Sequence, residues 1–212
     1  MDRKKGILII VSGFSGSGKG TIMKRLLEEH QEEYALSISA TTRAPRPGEV
    51  HGREYFFQTE EEFKAMIADQ ALLEYAQYVG NYYGTPKGYV QEQLSSGRDV
   101  ILEIEIQGAW KVKEQCPDAL LLFVTPPSAA ELKNRLVGRG SEEEAVIASR
   151  LGRAWQEAQG VEGYDYLVIN DDLEECVQNV HSIIQNEHAR VSRNLEQIQA
   201  IQAELRCFVK GE

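Results

Sequence analysis

Four short apolar runs set the frame of the chain: Ile7–Val11, Val100–Ile106, Leu120–Val124 and Tyr166–Ile169. The first and third are apolar throughout, as expected of strands covered on both faces of a parallel sheet. The second alternates, with Glu103 and Glu105 set between Leu102, Ile104 and Ile106. Helical patterns follow these runs. Ser128 with Glu131 and Ser141 with Glu144 fit the capping box, in which paired side chains satisfy free backbone donors at a helix start. Strand–helix alternation of this kind predicts an α/β fold with right-handed crossovers.

Residues 37–88 break the rhythm. They are rich in Tyr, Gly and Pro and hold short strand-like pieces at Tyr55–Phe57, Leu72–Val79 and Tyr82–Tyr83. Gly80-Asn81 is expected to make a tight hairpin turn, and Thr59 with Glu62 to cap a short helix. The region reads as a β-rich insertion in an α/β core, a common place for substrate contacts. At the far end, Val191, Leu195, Ile198, Ile201 and Leu205 form one apolar stripe at helical spacing. Packing on its own core and contact with a second copy of the chain both suit that stripe.

Composition narrows the function. The 212 residues carry 23 Lys plus Arg against 33 Asp plus Glu, a formal net charge of −10. A broad nucleic-acid or membrane-surface binder needs a basic footprint, so both classes are disfavoured. No apolar stretch approaches the ~20 residues of a membrane span, and the N-terminus has no secretory leader pattern. Cys116, Cys176 and Cys207 are scattered and odd in number, which fits a reduced, cytoplasmic setting. The four histidines form no spaced ligand set, although His181 and His188 can share a helix face.

The chemistry begins after the first strand, at Gly13-Phe14-Ser15-Gly16-Ser17-Gly18-Lys19-Gly20-Thr21. This is G-x-x-x-x-G-K between a buried strand and a helical pattern, the context that a phosphate-binding loop needs. Glycines let backbone N–H groups point at phosphate oxygens, the helix start adds partial positive charge, and Lys19 supplies a full one. Gly20 stands where Ser or Thr usually holds Mg²⁺. Thr21, one place on, is expected at an α-phosphate, with Mg²⁺ carried mainly by phosphates and water.

The loop implies a nucleoside triphosphate as donor but not the acceptor. Arg43 and Arg46, stiffened by Pro45 and Pro47, offer planar forks that suit a phosphate monoester. Tyr55 and Tyr83 offer hydroxyls, and Glu74 sits in an apolar strand pattern ahead of Thr85. Taken alone, Glu74 also reads as a solvent-facing carboxylate.

Several motifs now line up in order: the loop at 13–21, Ser39 to Arg46, Gly48 to Tyr55, Gly80 to Thr85, Gln107-Gly108, Gly138-Arg139-Gly140 and Asn170 to Leu173. Together they resemble a bacterial, single-domain guanylate kinase over nearly the full length. The resemblance implies a P-loop NTPase-like parallel sheet flanked by helices, with a core at 1–36, 89–125 and 159–212. It implies a GMP-binding region at 37–88 and a small helical lid at 126–158. The implied reaction is ATP-dependent phosphorylation of GMP, with dGMP as a further acceptor, in purine nucleotide metabolism. Arg43, Arg46, Tyr55 and Tyr83 match positions that hold the GMP phosphate. Ser39, Glu74 and Thr85 match those that read guanine, and Glu105 matches an acid near the guanine amino group and the metal waters. Lys19, Arg43, Arg139, Arg150 and Arg153 match the catalytic charges, and Asn170 lies near the adenine or caps a helix. Two residues depart from the family pattern: Phe14 where Pro is common, with little effect expected, and Glu105 where Asp is usual. A non-catalytic protein-binding module and a kinase for another phosphorylated small molecule are the competing readings.

Overall fold

The computed structural model describes residues 5–138 and 144–210. Its centre is a five-stranded sheet of β1 (Leu8–Gly13), β2 (Tyr34–Leu36), β7 (Asp99–Glu103), β8 (Leu120–Thr125) and β9 (Tyr166–Ile169), in the order β2-β7-β1-β8-β9. Every pairing is parallel. Alternate residues of β1 and β8 feed two separate cores. Ile9, Val11, Leu120 and Leu122 pack with Ile22 and Leu26 of α1 (Lys19–Glu29) and with Val177, Val180 and Ile184 of α7 (Leu173–His188). Leu8, Ile10 and Leu121 pack on the other face against α3 (Lys87–Ser95) and α4 (Ile106–Gln115). Both faces are thus covered, which is why these runs are apolar without alternation.

The alternating run ends differently from its pattern. The strand β7 stops at Glu103, Glu105 is extended, and α4 starts at Ile106. Glu103 and Glu105 therefore flank a strand-to-helix turn instead of sharing one strand face.

A second sheet lies within residues 40–86, from β3 (Ala40–Thr41), β4 (Phe56–Phe57), β5 (Leu72–Tyr78) and β6 (Asn81–Pro86), ordered β4-β3-β6-β5. Its small core joins Ala40 and Leu72 to Phe63 of α2 (Glu60–Ala68). Thr59 and Glu62 form the expected capping box at the start of α2. The hairpin turn is one residue earlier than Gly80-Asn81. Tyr78 pairs with Asn81, and Val79 and Gly80 turn the chain at φ +47° and +77°. Two positive φ values define the turn whose twist matches the strands, so a β-branched residue is held where it is seldom found.

Among the described residues, Ser128 caps α5 (Ala129–Gly138) through the Glu131 amide at 3.1 Å, while the Glu131 carboxylate turns to Arg135. The expected cap at Ser141 lies outside the described residues. Helix α6 (Glu144–Ala158) follows. The last helix, α8 (Leu195–Lys210), leaves its stripe uncovered: Leu195, Ile201 and Leu205 are each about half exposed. Packing of that stripe on its own core is therefore not what the single chain does.

Candidate functional site

Gly13 to Lys19 connects β1 to α1, and the backbone does most of the construction. Gly18 precedes the helix at φ +92°, a conformation that only glycine adopts freely. A Cβ there would lie 2.3 Å from the Asn170 amide nitrogen. No side chain caps α1 and no acid sits in its first turn. Its N-terminal donors and dipole therefore face the loop, the arrangement that binds phosphate. The Lys19 ammonium lies within the loop, donating to the carbonyls of Gly13 at 2.5 Å and Phe14 at 3.2 Å.

Asn170 takes a third role. It is buried, its amide donates to the Ser17 carbonyl at 2.8 Å, and its own carbonyl accepts from Arg135 at 2.9 Å. The cap of α7 is Asp172, which accepts from the Glu175 amide. Asn170 thus braces the loop from the end of β9, and the helix-cap reading is replaced.

Helix α6 lies over this loop. Arg150 donates to the Ser15 hydroxyl at 3.2 Å. Arg153 bonds the Glu105 carboxylate and, through Nε, Glu157 at 3.1 Å. Arg139 lies outside the described residues. Phe14 packs against a cluster of Leu132 and Leu136 of α5 and Ala154 of α6, which Ile147 and Leu151 of α6 also join. The expectation that Phe14 has little effect took account only of backbone donors, and the ring has apolar partners of its own.

The acceptor side is built from side chains. Glu49 accepts from Arg43 at 2.9 Å through each oxygen and from the Arg46 amide at 2.7 Å. The Arg43 guanidinium also lies over the Tyr55 ring, 5.3 Å from its centroid, and near Phe57. Its hydrogen bond to Glu49 raises Arg43, and the same pair holds the Glu49 carboxyl below its ordinary value. Tyr55 and Tyr83 meet edge to face at 6.1 Å, and the Arg46 side chain is exposed. Glu49 was not singled out in the sequence. It stands in the Gly48-to-Tyr55 motif, three residues after Arg46, but only the folded loop turns it back onto Arg43.

The Thr85 hydroxyl, fully buried, donates to Glu74 at 2.7 Å. Desolvation pushes the Glu74 carboxyl above its ordinary value, with the Thr85 bond pulling the other way. A solvent-facing carboxylate would show neither, so that reading is set aside. Ser39 is half-buried in the same small sheet, where its carbonyl accepts from the Phe56 amide.

The turn after β7 links all of these pieces. Glu103 flanks the loop, with both carboxylate oxygens 3.8 Å from where a Gly20 Cβ would stand. Desolvation raises its carboxyl, opposed by Lys19. Glu105 holds Arg153, and Gly108 faces Glu74, whose Oε2 is 3.5 Å from a Gly108 Cβ position. Glu103 was visible in the sequence only as part of an alternating run. Near the loop, Thr21 and Glu103 are hard oxygen donors, and they fit a Mg²⁺ ion that keeps its water shell.

A different cluster lies at the opposite end of α1. His30, Glu33 and His181 bring candidate ligand atoms within 4.8 Å of one another. His181 meets His30 there instead of pairing with His188. The two imidazoles stack at 3.8 Å with planes 10° apart. A metal ion bonds in the plane of each ring at ~2.1 Å, so one ion cannot serve both in this arrangement. Packing accounts for the pair.

The comparisons with known proteins agree with this geometry. The guanylate kinase family model matches residues 5–187. A guanylate kinase of Latilactobacillus sakei is 50% identical over 193 residues, covering 91% of this chain and 95% of that protein. One from Caldanaerobacter subterraneus is 52% identical over 192 residues, covering 91% and 93%. The crystal structure of guanylate kinase from Anaplasma phagocytophilum superposes with a TM-score of 0.69 at 30% identity, covering 90% of each chain. By the family model and these relatives, the chain belongs to the guanylate kinase family.

Proposed function

We propose that this cleft transfers the γ-phosphoryl group of ATP to GMP, giving ADP and GDP, with dGMP as a second acceptor. The carrying observation is the turn at 103–108, which touches the phosphate loop through Glu103, α6 through Glu105 and the Glu74 site through Gly108. The acceptor is already an ionised phosphate, so the reaction calls for alignment and charge, with no strong base. Lys19, Arg150 and Arg153, with Arg139, supply charge to the transferring group. Arg43, Arg46, Tyr55 and Tyr83 receive the GMP phosphate, and Ser39, Glu74, Thr85 and Glu105 read the base. Residues 13–21 and Asn170 make the ATP side. Thr21 and Glu103 would hold Mg²⁺ through water, and the ion supplies Lewis-acid stabilisation of phosphate charge.

Base choice follows from Glu74. Guanine presents N1–H and the 2-amino group as adjacent donors, and a carboxylate accepts from both. Adenine presents an acceptor at N1 and no 2-amino group, so the half-buried carboxylate keeps Thr85 but gains no donor from the base, a mismatch that discriminates by roughly ten-thousand-fold. A coupled ADP-release assay across GMP, AMP, UMP and CMP tests this. Equal turnover of AMP removes the Glu74 assignment.

The same reading divides the chain into a core at 1–36, 89–125 and 159–212, an acceptor region at 37–88 and a lid at 126–158. No helix among the described residues is long and apolar enough to cross a membrane, and scattered free cysteines support a reduced cytoplasmic setting. The uncovered stripe of α8 supports self-association, since a large apolar stripe on a helix calls for a covering surface. Chromatographic mass of the full chain and of an Ile201→Glu, Leu205→Glu variant decides it. A monomer in both cases ends the idea.

A further inference from the structure

Phe14 and Glu105 both bear on α6, one through an apolar cluster and one through Arg153. Phe14 sets its ring edge-on to Phe123, 5.0 Å between centroids at 79°. The ring also packs against the apolar cluster of Leu132 and Leu136 of α5 and Ala154 of α6, a cluster that Ile147 and Leu151 of α6 cover as well. Glu105 bonds Arg153 of α6. Arg150, one turn before Arg153, reaches Ser15 in the loop. Trp155 is 68% exposed, and only Ala154 of the whole helix is buried. So α6 has little hold on the molecule apart from α5, the Phe14 seat and its polar bonds.

We propose that Phe14 and Glu105 are positioning residues that dock α6 on the phosphate loop before any nucleotide binds, Phe14 as an apolar seat and Glu105 as an ionic catch for Arg153. The proposal rests on the reading that Arg150 and Arg153 serve phosphoryl transfer. Docking holds both guanidinium groups at the loop in the empty enzyme, so their ordering is not charged to substrate binding. Phe14 carries more of the docking than Glu105. An aromatic side chain removed from water outweighs an ion pair whose Glu105 side chain is 66% exposed.

Hydrogen exchange of the nucleotide-free full chain tests the docking. Phe14→Ala is expected to speed exchange of the amides in 144–158 about tenfold or more. Amides of β1 should keep their rates, and Phe14→Leu should restore most of the protection. Glu105→Gln should speed the same amides about threefold and remove their salt sensitivity. Ile147→Ala trims the same apolar cluster from the helix side, and serves if Phe14→Ala also loosens β1. In turnover, Phe14→Ala should raise the ATP KM more than it lowers kcat, because binding then includes the ordering of α6. Unchanged exchange of 144–158 in both Phe14→Ala and Ile147→Ala overturns the docking. A loss confined to kcat overturns the positioning role. The exchange arm uses no nucleotide, so an error in the acceptor assignment leaves its result untouched.

Discussion

The donor and acceptor halves of this cleft are made of different material. The phosphate loop is mostly main chain: a glycine at positive φ, an uncapped helix start, and Asn170 bonded to a backbone carbonyl. It sits between two large cores that cover both faces of a five-stranded sheet. The acceptor side is mostly side chain: Arg43 held by Glu49, Glu74 held by Thr85, and a small core around Phe63. Backbone groups recognise any polyphosphate and leave little to vary. Side-chain pairs recognise one molecule and can be changed one at a time. Generality is thus placed where the fold is most constrained, and selectivity where it is least.

The difference can be broken most directly at Lys19, whose ammonium lies inside the backbone-built half. Lys19→Met is expected to lower kcat at least a hundredfold while thermal unfolding stays close to that of the parent. Near-normal turnover would falsify the role given to this ammonium. On the other half, Glu49→Gln loses the carboxylate that fixes Arg43 over Tyr55. The GMP KM should rise about tenfold through misplacement of the phosphate-binding fork, with the ATP KM unchanged. Equal shifts in both constants mean that the two halves are not separable.

Asn170→Ala asks how much the loop depends on its brace. Losing a buried hydrogen bond costs about 1–3 kcal/mol, and each kcal/mol lowers Tm by roughly 2–4 °C in a chain of this size. The ATP KM should rise and the GMP KM should not; calorimetry and steady-state kinetics read the two effects. The smallest effect lies outside both halves, at the far end of α1. His181 is pushed below its usual value of 6.5, by desolvation first and then by His30 beside it. The native state therefore binds fewer protons than the unfolded chain as pH falls below about 6.5, and stability declines in that window. His181→Gln should flatten the decline in Tm between pH 7.5 and 5.5. An unchanged slope assigns the acid sensitivity elsewhere.

Legibility in the sequence followed the same division. The loop was plain because a backbone turn of this kind demands glycine at fixed places, and the runs of β1 and β8 were plain because both faces are buried. Strand β2, three residues long, carries too little periodicity to announce itself. Val79 gave no turn signal, since β-branched residues are rare at positive φ and Gly80 alone drew attention. Glu49 and Glu103 were missed because their partners, Arg43 and the loop at Gly20, meet them only through folding. Phe14 was read for its backbone alone, and the ring packs against a cluster shared by α5 and α6, far away in sequence.

The turn at 103–108 has a consequence for how this enzyme can change. Three successive contacts leave one short stretch of chain: Glu103 toward the loop, Glu105 toward Arg153 and Gly108 toward Glu74. A substitution that shifts the start of α4 is felt by donor, lid and base pocket together. Changes at this joint therefore move donor and acceptor preference together. Selection for a new acceptor would meet least resistance at Thr85 or Glu49, whose contacts stay on their own side of the cleft.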